Sequence, residues 1–258
     1  KLRLIYHRFS KRIDDIQMID LYRFIDNIFL ADQITTKFLS KSLVIYYVQE
    51  IFEELTGKKL QLNPEHIEEL SFISTTPTPR LLKNTESNLD RINTLYNTDS
   101  LSDYEYTALN SFLIMGFYPI VSSITVLLNN YIQLLDQKHS KNSLTTFLKD
   151  FSFSNVTPIN FLVRIAKKDI TIEDINFSEG NIVYVFLGKL SKCPFTKNSS
   201  MPFGIGKHQC TGKQTAKVIL DKTKDLLINC ESKILDNKYK ISLSKNRENK
   251  ADVNLLFD

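Results

Sequence analysis

Residues 202–212 read PFGIGKHQCTG, and the sequence runs on into TGKQTAKVILDKTKDLLIN (211–229), whose apolar spacing predicts a helix. Three of the chain's seven glycines, Gly204, Gly206 and Gly212, fall within the nine residues 204–212. Average usage would give roughly 18 glycines in a chain of this length. A Gly-poor sequence that gathers them at one loop has a local backbone demand there. Gly204 and Gly206 permit a tight turn and a close backbone approach. Cys210 stands at or just before a helix N-terminus, where unpaired N–H groups and the helix dipole favour a thiolate. His208 lies two residues ahead of that sulfur, and Phe203 opens the loop with a ring able to shield it. The residues alone leave several chemistries open. Cys210 can be a buried structural cysteine. It can be a Zn ligand, although only His208 lies at ligand spacing. It can belong to a phosphate-binding glycine loop, although the Lys-Ser/Thr ending and a long preceding strand are missing.

Taken together, Phe203, Gly204, Gly206, His208, Cys210 and Gly212 resemble the cysteine-ligand loop of the cytochrome P450 superfamily, F-x-x-G-x-[RH]-x-C-x-G, matched at every position. The resemblance implies haem b with the Cys210 thiolate as axial ligand to iron. It implies that Gly204 and Gly206 bring the loop against the ring and that Gly212 lets the next helix lie close to it. It gives His208 a propionate to reach. Upstream, Arg164-Ile165-Ala166 with Asp169, then Gly180-Asn181-Ile182-Val183, looks like the family's strand segment whose Arg pairs with a propionate, so Arg164 takes that role. His7 and Lys11 in YHRFSKRI look like the His-x-x-x-Arg pair at the other propionate, with Lys for Arg. Ser191-Lys192-Cys193-Pro194-Phe195 looks like a worn Asn-Arg-Asp-Pro segment.

The stretch Thr107–Leu135 contains no charged residue. A run this long can span a membrane. Its Asn110, Ser111, Ser122, Asn129, Asn130 and Gln133, and its acidic or mixed flanks, point instead to a helix through the middle of a helical domain. It resembles the family's long distal helix. That helix normally carries an acid–alcohol pair after Ala-Gly. Here Gly116 is followed by Phe117, then Tyr118 where the acid is expected and Pro119 where the alcohol is expected. Monooxygenation consumes two protons, and the alcohol organises their delivery. Pro has no hydroxyl, removes a backbone N–H and is expected to kink the helix. A shifted alignment would bring Ser122, Ser123 or Thr125 to that place instead. A second departure is the family's buried Glu-x-x-Arg pair, whose expected positions hold Phe151 and Ser154.

Elsewhere the spacing predicts helices over 13–31 and 36–56, the second stopped by Gly57. Asn63-Pro64-Glu65 reads as a helix start and TTPTPR (75–80) as a loop. Short strands are expected within 159–174 and 181–188, and at 238–244 and 251–258. The fold class is mostly α with a small β component, a truncated cytochrome P450-like fold. It is read as a single haem-binding domain, 1–258, with a helical part over 1–155 and the haem loop and small sheet over 156–258.

Composition bounds the function. Apolar residues are 42% and charged residues 24%, which excludes extensive disorder and a disulfide-built mini-protein. The net charge of +4 is spread along the chain, so no nucleic-acid partner is expected, and no membrane partner either. Cys193, Cys210 and Cys230, odd in number and far apart, fit a reducing, cytoplasmic setting. No signal peptide is visible. The sequence does not start with Met, so the natural N-terminus is expected to be missing or processed. The leading expectation is a haem-thiolate oxidoreductase acting on a small metabolite in a biosynthetic pathway, by peroxide use or rearrangement. The rivals are an ordinary monooxygenase fed by a ferredoxin-type donor, drawn to Lys207, Lys213 and Lys217, and a non-catalytic haem-binding sensor or partner protein.

Overall fold

The computed structural model describes residues 1–58, 87, 90, 94, 100–137, 141–153, 156, 161–172, 174–186, 201–204, 206 and 209–244. Helix α1 (Leu2–Asp14) buries Ile5, Tyr6, Phe9 and Ile13 on one stripe. The helix expected over 13–31 is broken. The Ile16 N–H donates to Ile13 O, Gln17 turns extended (ψ 136°), and α2 (Met18–Ile28) starts afresh. The reason is burial: Ile13 and Ile16 both face the core, and the tight turn turns both inward. Strand β1 (Ile34–Thr35) then leads into α3 (Thr36–Thr56). The Thr35 hydroxyl accepts from Phe38 N–H at 3.0 Å and so caps α3. Gly57, at φ 68°, ends α3 in the left-handed conformation, at the stop the sequence predicts. The expected helix start at 63–65 and loop at 75–80 lie outside the described residues.

The uncharged stretch is the centre of one long helical run, Asp103–Asp136. It comprises α4 (Asp103–Ser111), a π turn over Phe112–Gly116, and α5 (Phe117–Asp136). By length and composition alone this run could cross a membrane, but 56% of its most apolar window is buried inside the protein. It packs against α3, and Phe112, Phe117, Ile124, Leu127 and Tyr131 are buried on it. The disturbance expected at Pro119 takes the form of the π turn immediately ahead of it. Helix α6 (Lys141–Asp150), absent from the sequence reading, follows.

Four strands come next. β2 (Phe161–Ile165) pairs antiparallel with β5 (Ile182–Phe186), and between them β3 (Ile170–Ile172) pairs with β4 (Ile175–Phe177) as a hairpin. Helix α7 (Lys213–Asn229) matches the expected helix after the cysteine loop, and α8 (Glu231–Asn237) continues from Cys230. The strand expected over 238–244 is shorter. Lys238–Lys240 forms a 3-10 turn, and only β6 (Ile241–Ser242) is extended, pairing parallel with β1. Tyr239 is exposed, and Lys240 Nζ donates to Phe29 O at 3.0 Å. Residues 251–258 lie outside the described set.

The chain divides into two compact units. One is Lys1–Phe151 with Thr211–Asp258, and the other is Ser152–Cys210. The first is helical: α1 packs along α7, and α3 along α5. Lys224 Nζ donates to Phe151 O and Lys238 pairs with Asp136. The second unit holds β2 to β5 and the loop up to Cys210.

A capping box starts the central run. The Glu105 N–H meets the Ser102 hydroxyl, and the Glu105 carboxylate accepts from the Ser102 hydroxyl at 2.7 Å and from its N–H at 3.1 Å. These bonds, with Arg8 at 2.6 Å, hold the Glu105 carboxyl below its ordinary value. A carboxyl lowered on folding stabilises the fold fully above the unfolded value, and this contribution is lost as pH falls through the folded one. Ser102→Ala is therefore expected to cost about 1 kcal/mol at neutral pH and less near pH 3. Urea titrations at the two pH values measure both, and an equal cost at each would contradict the assignment.

Candidate functional site

The second unit holds the cysteine loop. Met201–Phe203 forms one 3-10 turn, and the Phe203 ring meets Phe153 edge-on, with centroids 4.9 Å apart. Gly204 and Gly206 both adopt φ 67°, which side-chain-bearing residues rarely tolerate. Between them they reverse the chain, so the Cys210 N–H donates to Phe203 O at 2.7 Å. The Cys210 thiol is exposed and in no disulfide. Gly212, at φ −83°, is the N-cap of α7 and is not left-handed. His208 and Lys207 lie outside the described residues, as do Cys193 and the segment 191–195. Phe153 is a site neighbour that sequence reasoning missed; no motif marks a ring that matters only through packing.

Arg164 stands in β2, exposed, opposite Val183 of β5. The spacing of the segment behind it now has a physical cause. Gly180, at φ 86°, donates its N–H to Ala166 O, Ala166 N–H donates to Asn181 O, and the Asp169 carboxylate accepts from Glu179 N–H at 2.7 Å. Asp169 and Gly180 thus close the excursion that carries the β3–β4 hairpin and return the chain to pair with the Arg strand.

The other candidates lie in the helical unit. His7 and Lys11 are exposed one turn apart on α1. The central helix is buried on most faces but keeps one stripe open: Ser111, Ile114, Met115, Tyr118, Pro119, Ser122 and Val126. Met115, halfway along, is 63% exposed. Gly116 sits against the buried Phe112 ring, where a Cβ would come within 3.3 Å, and Phe117 points into the core. The Phe117 N–H bonds back to Phe112 O, the five-residue step of a π turn. π turns recur at functional sites. Ser123 and Thr125 are buried, and their hydroxyls donate to Pro119 O and Val121 O at 2.8 Å each. They do not share the open stripe. Tyr118 and Ser122 do.

No protein-family model and no curated protein matches the chain. Solved structures do match it. P450BioI in complex with an acyl carrier protein ligated to hexadec-9Z-enoic acid gives a TM-score of 0.57 at 16% identity, over 88% of this chain and 71% of that one. CYP109E1 from Bacillus megaterium, in complex with corticosterone, gives 0.59 at 15% identity, over 87% and 70%. CYP109B1 from Bacillus subtilis gives 0.54 at 15%, over 87% and 71%. The chain has a cytochrome P450 fold. It is a mostly helical, truncated form of that fold.

The prosthetic group that a cytochrome P450 fold implies is haem with one cysteine thiolate ligand. The loop fits this donor set. It presents a single exposed thiol, fixed by a backbone hydrogen bond and two left-handed glycines, and no chelating cluster of His, Cys, Asp and Glu exists among the described residues. Two places depart from the fold's usual equipment. Phe151, where a buried carboxylate is expected, is an apolar core residue at 3% exposure. Pro119, where the resemblance expects an alcohol, lies partly exposed on the open stripe.

A separate cavity of about 850 Å³ lies between α1, α2 and α3, lined among others by Arg12, Asp20, Phe24, Tyr46, Glu50 and Glu53. Arg12 pairs there with Glu50 at 2.7 Å, and burial, then Glu50 and Asp20, push the Tyr46 phenol up to about 12. No residue of the loop or the open stripe lines it. Cys230 is a buried thiol, pushed up to about 11 by burial, as expected for ordinary packing.

Gly206→Ala is expected to destabilise the protein by about 1 kcal/mol through backbone strain alone, because no atom crowds its Cβ position. Gly212→Ala, with an ordinary φ, is expected to cost less. Urea midpoints of the two variants, compared with the wild type, test this; equal costs would count against the left-handed turn.

Proposed function

We propose that this chain is a haem-thiolate oxidoreductase that binds haem b through Cys210 and acts on a small apolar substrate. The observation that carries the reading is the complete cysteine-ligand motif, closed on Phe203 by two left-handed glycines, within a cytochrome P450 fold. When bound, haem supplies an iron centre for redox chemistry. The protein supplies the rest. Cys210 gives one thiolate, and Phe203 with Phe153 keeps one side of its loop apolar. Arg164 and His208, with His7, would neutralise two propionates whose burial demands charge-assisted partners. Ile114, Met115 and Val126 on the open stripe suit an apolar substrate.

The central helix bears on the reaction. Its Pro119 offers no hydroxyl, and Ser123 and Thr125 spend theirs on backbone carbonyls. Tyr118 and Ser122 carry hydroxyls on the open stripe, and no carboxylate stands beside them in sequence. This supports peroxide use or a redox-neutral rearrangement, steps that need less ordered proton delivery than dioxygen reduction. A second reading, a monooxygenase fed by a ferredoxin-type donor, is favoured by charge. Lys217 is exposed and Lys213 partly exposed on α7, and with Lys207 they would attract an acidic protein. P450BioI is seen with an acyl carrier protein, so a carrier-bound substrate belongs to the same proposal. A non-catalytic haem-binding role is favoured by the apolar Phe151. The odd number and wide spacing of the cysteines support a reducing, cytoplasmic setting.

Haem uptake tests the core of the proposal. The purified protein is expected to bind haem b and to show the red-shifted thiolate Soret band in its reduced carbon-monoxide complex. Cys210→Ala is expected to abolish that band. Arg164→Ala is expected to keep it but to lose haem about tenfold faster, a loss of ~1.4 kcal/mol. A wild-type protein that stays colourless after haem loading would overturn the proposal.

Electron accounting tests the reaction. With a competent reductase and dioxygen, most electrons consumed are expected not to appear in product, whereas peroxide or redox-neutral substrates are turned over. Tight coupling to dioxygen would favour the monooxygenase reading instead.

A further inference from the structure

We propose that the cavity between α1, α2 and α3 is a binding site for a linear oligoamine, a flexible organic cation with two or more ammonium groups. The cavity lies wholly within the helical unit, and its volume of about 850 Å³ suits a small organic molecule. The break between α1 and α2 forms part of its wall, where Asp15, Ile16 and Gln17 line it. On α3, Tyr46, Glu50 and Glu53 follow one another at one-turn spacing and so share a face. On α2, Asp20 and Phe24 do the same. Three helices thus present side chains of two kinds to one space, carboxylates and aromatic rings.

Charge selects a cation. Four carboxylates, Asp15, Asp20, Glu50 and Glu53, face two guanidiniums, Arg12 and Arg23, and no lysine or histidine among the described residues lines the cavity. Two negative charges are therefore in excess. Arg12 Nη2 is committed to Glu50 at 2.7 Å and lies 3.6 Å from Glu53, while Arg23 reaches Asp20 only at 3.5 Å. The Glu50 and Glu53 side chains are 13% and 30% exposed, so water screens them only in part. The nearby Tyr46 phenol feels the field: burial first, then Glu50 and Asp20, raise it. Spacing selects the kind of cation. Among the described residues no three His, Cys, Asp or Glu side chains gather closely enough to hold a metal ion. The carboxylates act singly along the cavity, which matches ammonium groups separated by methylenes. The methylenes have a place as well. The rings of Phe24 and Tyr46, with centroids 4.8 Å apart, give an apolar wall that also attracts cations.

The test is titration calorimetry of the purified full chain with spermidine at low salt. Binding is expected to saturate at one spermidine per chain with a Kd below about 1 mM and to weaken as salt rises. The thermal midpoint is expected to climb with spermidine, since the folded cavity alone binds it. Asp20→Asn and Glu53→Gln are each expected to weaken binding about fivefold. Phe24→Leu, which keeps apolar bulk and removes the ring, is expected to weaken it about threefold. Glu50 is left in place because it holds Arg12. Asp225→Asn is the control. Asp225 is exposed on α7 and lines no part of the cavity, so binding is expected to stay within about twofold of the wild type. If one variant does not fold, the other two carry the comparison. A wild type with no saturable spermidine binding would overturn the proposal. So would an Asp225→Asn loss as large as those of Asp20→Asn and Glu53→Gln, or displacement of spermidine by Mg²⁺ at equal charge. A lysine-rich peptide that binds where spermidine does not would also overturn it, and would assign the surface to a basic protein partner. Calorimetry reads no haem band, so failure here is distinct from failure of the Cys210 reading.

Discussion

The helical unit is organised by the need to bury an uncharged helix. Within the run Asp103–Asp136 no charged side chain occurs from Thr107 to Leu135, so most faces left in water would expose apolar surface. Helices α3, α6 and α7 all contact α5, and α1 contacts α4. Phe9, Phe112 and Tyr6 meet edge-on at that junction. The polar side chains on this core settle their hydrogen bonds nearby. Thr125 and Thr223 bond back to their own helices, and Tyr131 donates to Leu227 O. Among the described residues, a stripe near the middle of the helix stays partly open, where a π turn and a proline interrupt the regular ladder.

The two units solve different problems. The helical unit supplies rigidity through interdigitated side chains. The smaller unit is built on backbone geometry: positive φ at Gly180, Gly204 and Gly206, and hydrogen bonds that run between main-chain groups. A loop that must hold one sulfur in place gains from this, because backbone bonds and glycine turns leave few alternative conformations. It also explains why this region is legible as a motif. Where the constraint falls on φ, the residue type is nearly forced.

Much of the architecture could be read from the sequence. Helix α3 and its Gly57 stop, the central helix, the Arg164 strand with its partner and the helix after Cys210 all have strong local signals: periodicity, a left-handed glycine, β-branched alternation. The misses share a different cause. The break between α1 and α2 is set by two isoleucines that must both face inward, a tertiary demand that overrides the local pattern. Strand β1 consists of two residues and exists only because β6 lies beside it, over 200 positions away. The Thr36–Asn129–Ser244 cluster, in which Thr36 donates to Asn129, Asn129 to Ser244 O and the Ser244 N–H to Thr36, joins three remote segments that share no motif. The site divides in the same way. Cys210 and its glycines stand out in the sequence, whereas Phe153 becomes visible only when the chain is folded.

The pairing of α1 with α7 has a consequence for how the protein is made. These helices lie some 200 residues apart in the chain, and the smaller unit is spelled out between them. During synthesis, α1 must therefore wait for roughly 200 further residues before its partner emerges. Until then the apolar stripe of Ile5, Phe9 and Ile13 has no α7 to cover it. Such late closure raises contact order and slows folding. It also leaves a nascent chain with exposed hydrophobic surface, the state that chaperones hold. The last described helices to leave the ribosome thus complete a core begun by the first.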